Sequence, residues 1–230
     1  MSNVIKGISS MATRQVLAEL AAAFEQQSGQ SVEIESVGGV DAAKRVQAGE
    51  AFDVVILASD AIDKLTASGH VQPGSRVDLV RSGVAVAVRA GTPAVDIGSE
   101  DAVRQAVLAA RSVSFSTGPS GVHLQQVFDR WGIADEIRPR LVLAPHGVPV
   151  GSLVASGEVE LGFQQLAELM NLPGIRVLGP LPPAIQIITV FSAGLSITST
   201  QADAVRAFLA WAVSPATTDI KRRNGMESAT

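Results

Sequence analysis

The sequence predicts an α/β protein made of two similar lobes, each a sheet flanked by helices. Three observations predict this. Apolar, β-branched runs alternate with amphipathic stretches along nearly the whole chain. A unit of small residues, short helix, Gly-Glu turn and apolar strand occurs twice, as "VGGVDAAKRVQAGEAFDVVILASD" (37–60) and "APHGVPVGSLVASGEVELGFQQLAEL" (144–169). The pairs Gly49-Glu50 and Gly157-Glu158 lie 108 positions apart, and "SSMATRQVLAEL" and "STGPSGVHLQQVFDRW" recur at nearly the same offset. Doubling of both order and spacing favours two lobes over one large sheet.

The elements follow in order. "NVIKGIS" reads as a strand, and "MATRQVLAELAAAFEQQSG" as a helix whose Val16, Leu17, Leu20 and Phe24 recur at helical spacing until Gly29 stops it. "SVEIESV" alternates as a strand. Asp41 is the expected N-cap of the short helix "AAKRVQAG". "FDVVILA" is a buried strand, "DAIDKLTASG" a helix closed by Gly69, and "GVAVAVRAG" a strand. Ser99 is the expected N-cap of the helix "SEDAVRQAVLAA". The second half gives strand "SVSFST", helix "GVHLQQVFDRWG", strand "RLVLA", short helix "VPVGSLVASG" and strand "VELGFQQ". "IRVLGPLP" and "IQIITVFSAGLS" are strands, and "TQADAVRAFLAWAVSPATTDIKRRNG" is a helical region interrupted at Pro215. Alternation of this kind implies largely parallel sheets.

Composition narrows the function classes. The chain has 230 residues, 47% of them hydrophobic, and a formal net charge of −4. Both signs of charge are mixed along it, so no basic stripe argues for nucleic acid. The short run "IKRR" reads as a solvated last helical turn. The absence of cysteine excludes disulfides and thiolate chemistry. No apolar run is long enough to span a membrane, so no membrane insertion is expected. "MSNVIKGISS" has neither a cationic region nor an apolar core of the secretory kind. As written the chain reads as cytoplasmic, or as periplasmic if a leader has been cut away.

Chemistry is expected where strands end and helices begin. In open α/β sheets ligands sit beyond the carboxyl ends of the strands. A helix start offers unpaired N–H groups and a partial positive charge. Glycine lets a ligand approach the backbone, and serine adds a hydroxyl. Four such junctions are present: Ser9-Ser10, Gly38-Gly39, Ser116 through Gly121, and Gly147-Val148. The first two fall in one lobe and the last two in the other, which is the pattern of a cleft that holds a small anion with neutral donors.

The chain resembles the type II periplasmic solute-binding proteins, particularly their molybdate-binding branch. The resemblance lies in "ISSMATRQVLAELAAAFEQQSG", "RVQAGEAFDVVILASD", "GPSGVHLQQVFDRWGI", "ASGEVELGFQQ" and "VRAFLAWAVSPATTDIKRRNGM". It implies a two-lobed type II periplasmic-binding-protein-like fold with the ligand cleft between lobes. Lobe I would hold residues 1–84 and 189–230 and lobe II residues 85–188, with crossings near Gly83 and Thr189. It implies oxyanion donors at Ser9 or Ser10, at Gly38, Gly39 and Val40, at Ser120, Gly121 and Val122, and at Val148. The chain departs from the molybdate branch in two ways. That branch has serines where Gly38-Gly39-Val40 stand here, and a tyrosine where Gln164 or Gln165 stands. This chain contains no tyrosine. Glutamine amides and a histidine suit a planar carboxylate better than a tetrahedral oxyanion.

His123 follows "GPSGV" at a helix start, and His146 precedes Gly147; both belong at the cleft rim. His70 reads as a surface-turn residue. Three dispersed histidines without cysteine give no metal-ligand spacing, and no Gly-x-Ser-x-Gly elbow appears. No cofactor and no metal are expected. The leading reading is a monomeric solute-binding protein for a small organic carboxylate, serving transport with a membrane permease, or a receptor. An enzymatic reading stands beside it. Aconitate isomerase is similar to this same family, and a proton shift in an unsaturated acid needs a base, for which His123 and His146 are the candidates.

Overall fold

A computed structural model describes residues 4–229 apart from Ala94 and His146. The chain divides into two compact units, Met1–Arg81 with Val190–Thr230, and Ser82–Thr189.

In the first unit β1 (Ile5–Ser10) leads through a 3-10 turn at Met11–Thr13 into α1 (Arg14–Ser28). Helix α1 buries Val16, Leu17, Leu20, Ala21 and Phe24, and ends at Gly29 with a left-handed φ of 73°. Then come β2 (Val32–Val37), α2 (Gly39–Gln47), β3 (Val54–Ala58) and α3 (Ser59–Ala67). Strand β4 (Val77–Arg89) carries the chain out of this unit.

The second unit continues with α4 (Glu100–Ala109), β5 (Val113–Phe115), α5 (Pro119–Arg130), α6 (Ala134–Ile137), α7 (Val150–Ser156), β6 (Leu161–Gln165), α8 (Leu166–Leu169) and β7 (Ile175–Pro180). Strand β8 (Ile188–Leu195) returns the chain, which finishes with α9 (Ala202–Ala212), α10 (Thr218–Arg223) and β9 (Glu227–Ser228).

The hydrogen-bond ladders fall into two groups. In the first unit the order is β2-β1-β3-β8-β4, and β9 pairs with Val80 and Arg81 of β4. In the second, the later part of β4 pairs with β7 and with β6, and β6 pairs with β5. The sheets are mixed rather than largely parallel. Pairs β1–β2, β1–β3 and β5–β6 are parallel, as strand–helix–strand passages require. Pairs β3–β8, β4–β6, β4–β7 and β4–β9 are antiparallel, all involving the two strands that carry the chain from one unit to the other. Each unit has its own apolar core. Ile8, Val46, Val55, Leu57, Ile62 and Leu65 cluster in the first, and Val86, Val107, Leu124, Phe128, Leu161 and Phe163 in the second.

Four local expectations change. Helix α2 begins before Asp41, with Gly38 as N-cap accepting from Ala42 N at 2.9 Å, so Asp41 lies in the first turn. The segment "RLVLA" is a single bridge from Leu141 to Val113 rather than a strand. A 3-10 turn at Arg138–Arg140 consumes its start, and the Arg140 guanidinium is pinned to the carbonyls of Leu108 and Ala110, both at 2.7 Å. Strand β4 starts six residues earlier than "GVAVAVRAG". The basic run is not wholly solvated. Lys221 is 1% exposed, with Nζ 3.4 Å from Ser228 Oγ, and burial lowers its pKa, whereas Arg222 and Arg223 are exposed. Ser99 caps α4 as its place in the sequence predicts, accepting from Ala102 N at 3.1 Å.

Candidate functional site

Parallel pairing of β1 with β2 sets Ser9 opposite Ser36 and Ser10 opposite Val37, at the carboxyl ends of both strands. The Ser9 hydroxyl is buried and bound to Ser36 Oγ at 2.7 Å. Among the described residues Ser10 Oγ meets Thr13 Oγ1 alone, donating to it at a long 3.4 Å because the Thr13 proton goes to the Ser10 carbonyl at 3.0 Å, so a ligand acceptor can take over this weak bond. A methyl group on Gly39 would come 3.7 Å from Ser10 Cβ, which places the start of α2 beside that hydroxyl. The first intrahelical bond of α2 runs from Ala42 to Gly38, so the N–H groups of Gly39 and Val40 lie in the unpaired first turn. The Val40 side chain is exposed. Ser10, Gly39 and Val40 thus form one compact set of neutral donors within the first unit.

In the second unit Gly118 caps α5, and its carbonyl takes the N–H groups of both Gly121, at 3.0 Å, and Val122, at 3.2 Å. Ser120, whose N–H precedes these, is buried, and its Oγ lies 3.0 Å from Ser116 Oγ. Gly121 is there for space. A Cβ at this position would fall 1.6 Å from the Ser116 carbonyl oxygen. Val122 and His123 are exposed at the helix start. Val148 donates its N–H to Pro145 O at 3.0 Å in a turn, so that donor is already engaged. His146 lies outside the described residues.

Strand β6 ends in two buried glutamines. Gln164 Oε1 accepts from Gly151 N, in the first turn of α7, at 3.2 Å, and its Nε2 donates to Glu168 Oε1 at 2.9 Å. Glu168 keeps part of its surface, but burial of the carboxyl pushes its pKa up to about 7, with the Gln164 hydrogen bond pulling the other way. Gln165 donates from Nε2 to Thr189 Oγ1 at 2.8 Å, while its buried Oε1 has no partner among the described residues. Sequence reasoning missed Ser36, Thr189 and Glu168. Ser36 follows from the strand register, and Glu168 from its four-residue spacing after Gln164, but Thr189 joins Gln165 only through the fold.

An open pocket of about 460 Å³ in the first unit lies elsewhere, at the amino ends of β1 and β3, where Lys6, Phe52, Asp53 and Gln201 line it. Asp53 is fully employed there, accepting from Lys6 N at 2.9 Å, Ser199 Oγ at 2.8 Å and Gln201 Nε2 at 3.1 Å. It ties strands together rather than awaiting a ligand. Among the described residues no cluster of three or more histidine, aspartate or glutamate side chains is placed to hold a metal, and no helix is long and apolar enough to cross a membrane.

Comparison with known proteins adds three findings. The model of the family described as bacterial extracellular solute-binding protein matches residues 5–227. An aconitate isomerase from a Pseudomonas species is 39% identical over 202 residues, 85% of this chain and 77% of that protein. Among solved structures, the periplasmic molybdate-binding protein of Azotobacter vinelandii aligns with a TM-score of 0.81 at 24% identity, covering 98% of this chain and all of the other. The sulfate-binding protein SubI from Mycobacterium tuberculosis aligns at 0.79 and 16% identity, over 99% and 87% of the two chains. At these identities the two structures carry the fold, that of the two-lobed periplasmic binding proteins.

Proposed function

Because the chain belongs to the bacterial extracellular solute-binding protein family, we propose that it binds a small organic carboxylate as the solute-recognising component of a transport or receptor system. The observation that carries this reading is the buried amide of Gln165. One of its polar atoms lacks a partner, and a buried polar group left so costs about 1–3 kcal/mol. The Thr189 hydroxyl both donates and accepts, so the amide fits it in either orientation. Turned about, Gln165 keeps Thr189 and presents Nε2–H to a carboxylate oxygen. Each unit also offers neutral donors of its own: the Ser10 hydroxyl with Gly39 and Val40 N–H in the first, and Ser120 in the second. Neutral donors of this kind suit delocalised carboxylate charge. In such a system the partner is a membrane permease and the place of action is the periplasm.

A second reading is favoured by the 39% identity with an aconitate isomerase. Here the bound acid is an unsaturated tricarboxylate, and a base moves a proton between its carbons. His123, exposed in the first turn of α5, is the candidate base, with His146 next.

One experiment separates these readings. Thermal shift and calorimetry are run with di- and tricarboxylates, both aconitate isomers, molybdate and sulfate, since a ligand of the native state raises the unfolding temperature. Carboxylates are expected to bind better than molybdate. Submicromolar molybdate binding with no carboxylate binding would sink the proposal. Aconitate interconversion is then followed for the wild type and for His123→Gln. Binding without turnover leaves the solute-binding reading. Turnover that falls roughly 10²–10⁴-fold in the variant, with binding kept, makes the protein an isomerase with His123 as its base.

A further inference from the structure

We propose that Glu168, held by Gln164 beside the first turn of α7, takes up a proton when a carboxylate ligand binds in the second unit, so that affinity for the anion falls as pH rises. This rests on the carboxylate-binding reading and adds to it a coupling between ligand and proton.

The geometry comes first. Gly151 N can only donate, so it fixes Gln164 with Oε1 toward α7 and Nε2 toward Glu168. Gln164 is 5% exposed, and Gly151 is packed so closely that a Cβ there would lie 2.4 Å from Leu172 and 3.1 Å from Leu169. The amide therefore holds the carboxyl rigidly against the carboxyl end of β6, next to Gln165 and the first turn of α7. A carboxylate held by the Gln165 amide, as proposed above, has its charge at the end of β6, three residues before Glu168.

Among the described residues no charged partner of the carboxyl is seen. Helix α8 packs on β6 and β7, and its Leu166 and Leu169 also meet Ala85 and Ala87 of β4. Strand β6 and helix α7 carry no charged residue, β7 brings Arg176, and the part of β4 in this unit brings Arg89; both arginines are exposed. Desolvation and the Gln164 hydrogen bond are the influences on the group, which exchanges its proton at about pH 7. An arriving anion disfavours the ionised form further. Between the free and the bound pKa, binding then draws a proton from solvent onto the carboxylate oxygen. Well below pH 7 the group is already protonated and nothing is taken up. Above pH 7 each binding event must either take up a proton or accept repulsion, so the dissociation constant rises, by up to about tenfold if the bound pKa lies one pH unit higher.

The test uses cis-aconitate and tricarballylate as probes, by calorimetry at pH 7.5 in two buffers of different ionisation enthalpy. The wild type is expected to take up roughly half a proton on binding, and Glu168→Gln, which keeps the hydrogen bond to Gln164, is expected to bind with none. Proton uptake by the ligand itself would persist in the variant and so is told apart. Equal binding enthalpies in the two buffers for the wild type overturn the proposal whether or not the variant folds. Uptake that survives in a folded Glu168→Gln protein overturns the assignment to this residue. If neither probe nor any other carboxylate binds, the functional reading itself fails and the inference falls with it; binding without uptake removes the inference alone.

Discussion

At the scale of single residues, Gln165 and Gly121 show two different reasons for a residue to stand at the proposed binding site. Gln165 is buried with one atom unpaired among the described residues, which costs stability. Replacing it by leucine removes the unpaired atom and adds buried apolar surface, which offsets the hydrogen bond lost to the half-buried Thr189. The variant is therefore expected to be at least as stable as the wild type, yet to bind carboxylates about 10–100-fold more weakly, the scale of one or two hydrogen bonds to a charged group. Calorimetry alongside thermal unfolding checks both halves. Unchanged affinity would show that the amide faces away from the ligand. Gly121 is present because the backbone turns so tightly at Ser116 that no Cβ fits. Its identity was legible in "GPSG", but the reason was not. The sequence suggests ligand approach, whereas the structure shows the chain approaching itself.

Elements explain more of what could be read. Helix α5 begins at Pro119 after the Gly118 cap, and this start decides where Ser120 and His123 lie. Gly121→Ala must displace the start, because the new Cβ would collide with Ser116 O; Gly118→Ala meets nothing within 4 Å. The first substitution is expected to cost at least about 2 kcal/mol and lower the unfolding temperature by roughly 4–8 °C, while the second changes it little. Calorimetric scans of the pair test this, and equal effects would contradict the packing account. Periodicity and stop signals made the long helices legible: α1 ends at Gly29 and α4 is capped by Ser99, as the residue types demand. The short pieces were not. The "RLVLA" segment has strand-like residues, but partner availability decides strands, and β5 offers it a single bridge. Burial of Lys221 was hidden for a related reason. Its charge reads as surface, while its position on α10 turns it toward Ser228.

The whole molecule makes the doubled sequence unit intelligible. Two compact units each supply their own neutral donors at strand ends, and the fold is one that also serves molybdate- and sulfate-binding proteins. At 24% and 16% identity the fold is shared while most residues differ, and this is why fold is easier to read from the chain than ligand is. The division also has a consequence in time. The second unit is one uninterrupted stretch, but the first is split, and β8, α9, α10 and β9 reach it only after the whole of the second has been made. During synthesis the inner segment can mature while the outer one waits, with β3 missing the neighbour that β8 provides. Pulse-labelling hydrogen exchange during refolding is expected to protect β5 and β6 before β3; simultaneous protection would mean that the two units are gained together. On a ribosome, the half-finished first unit is the part of this protein that most needs a chaperone.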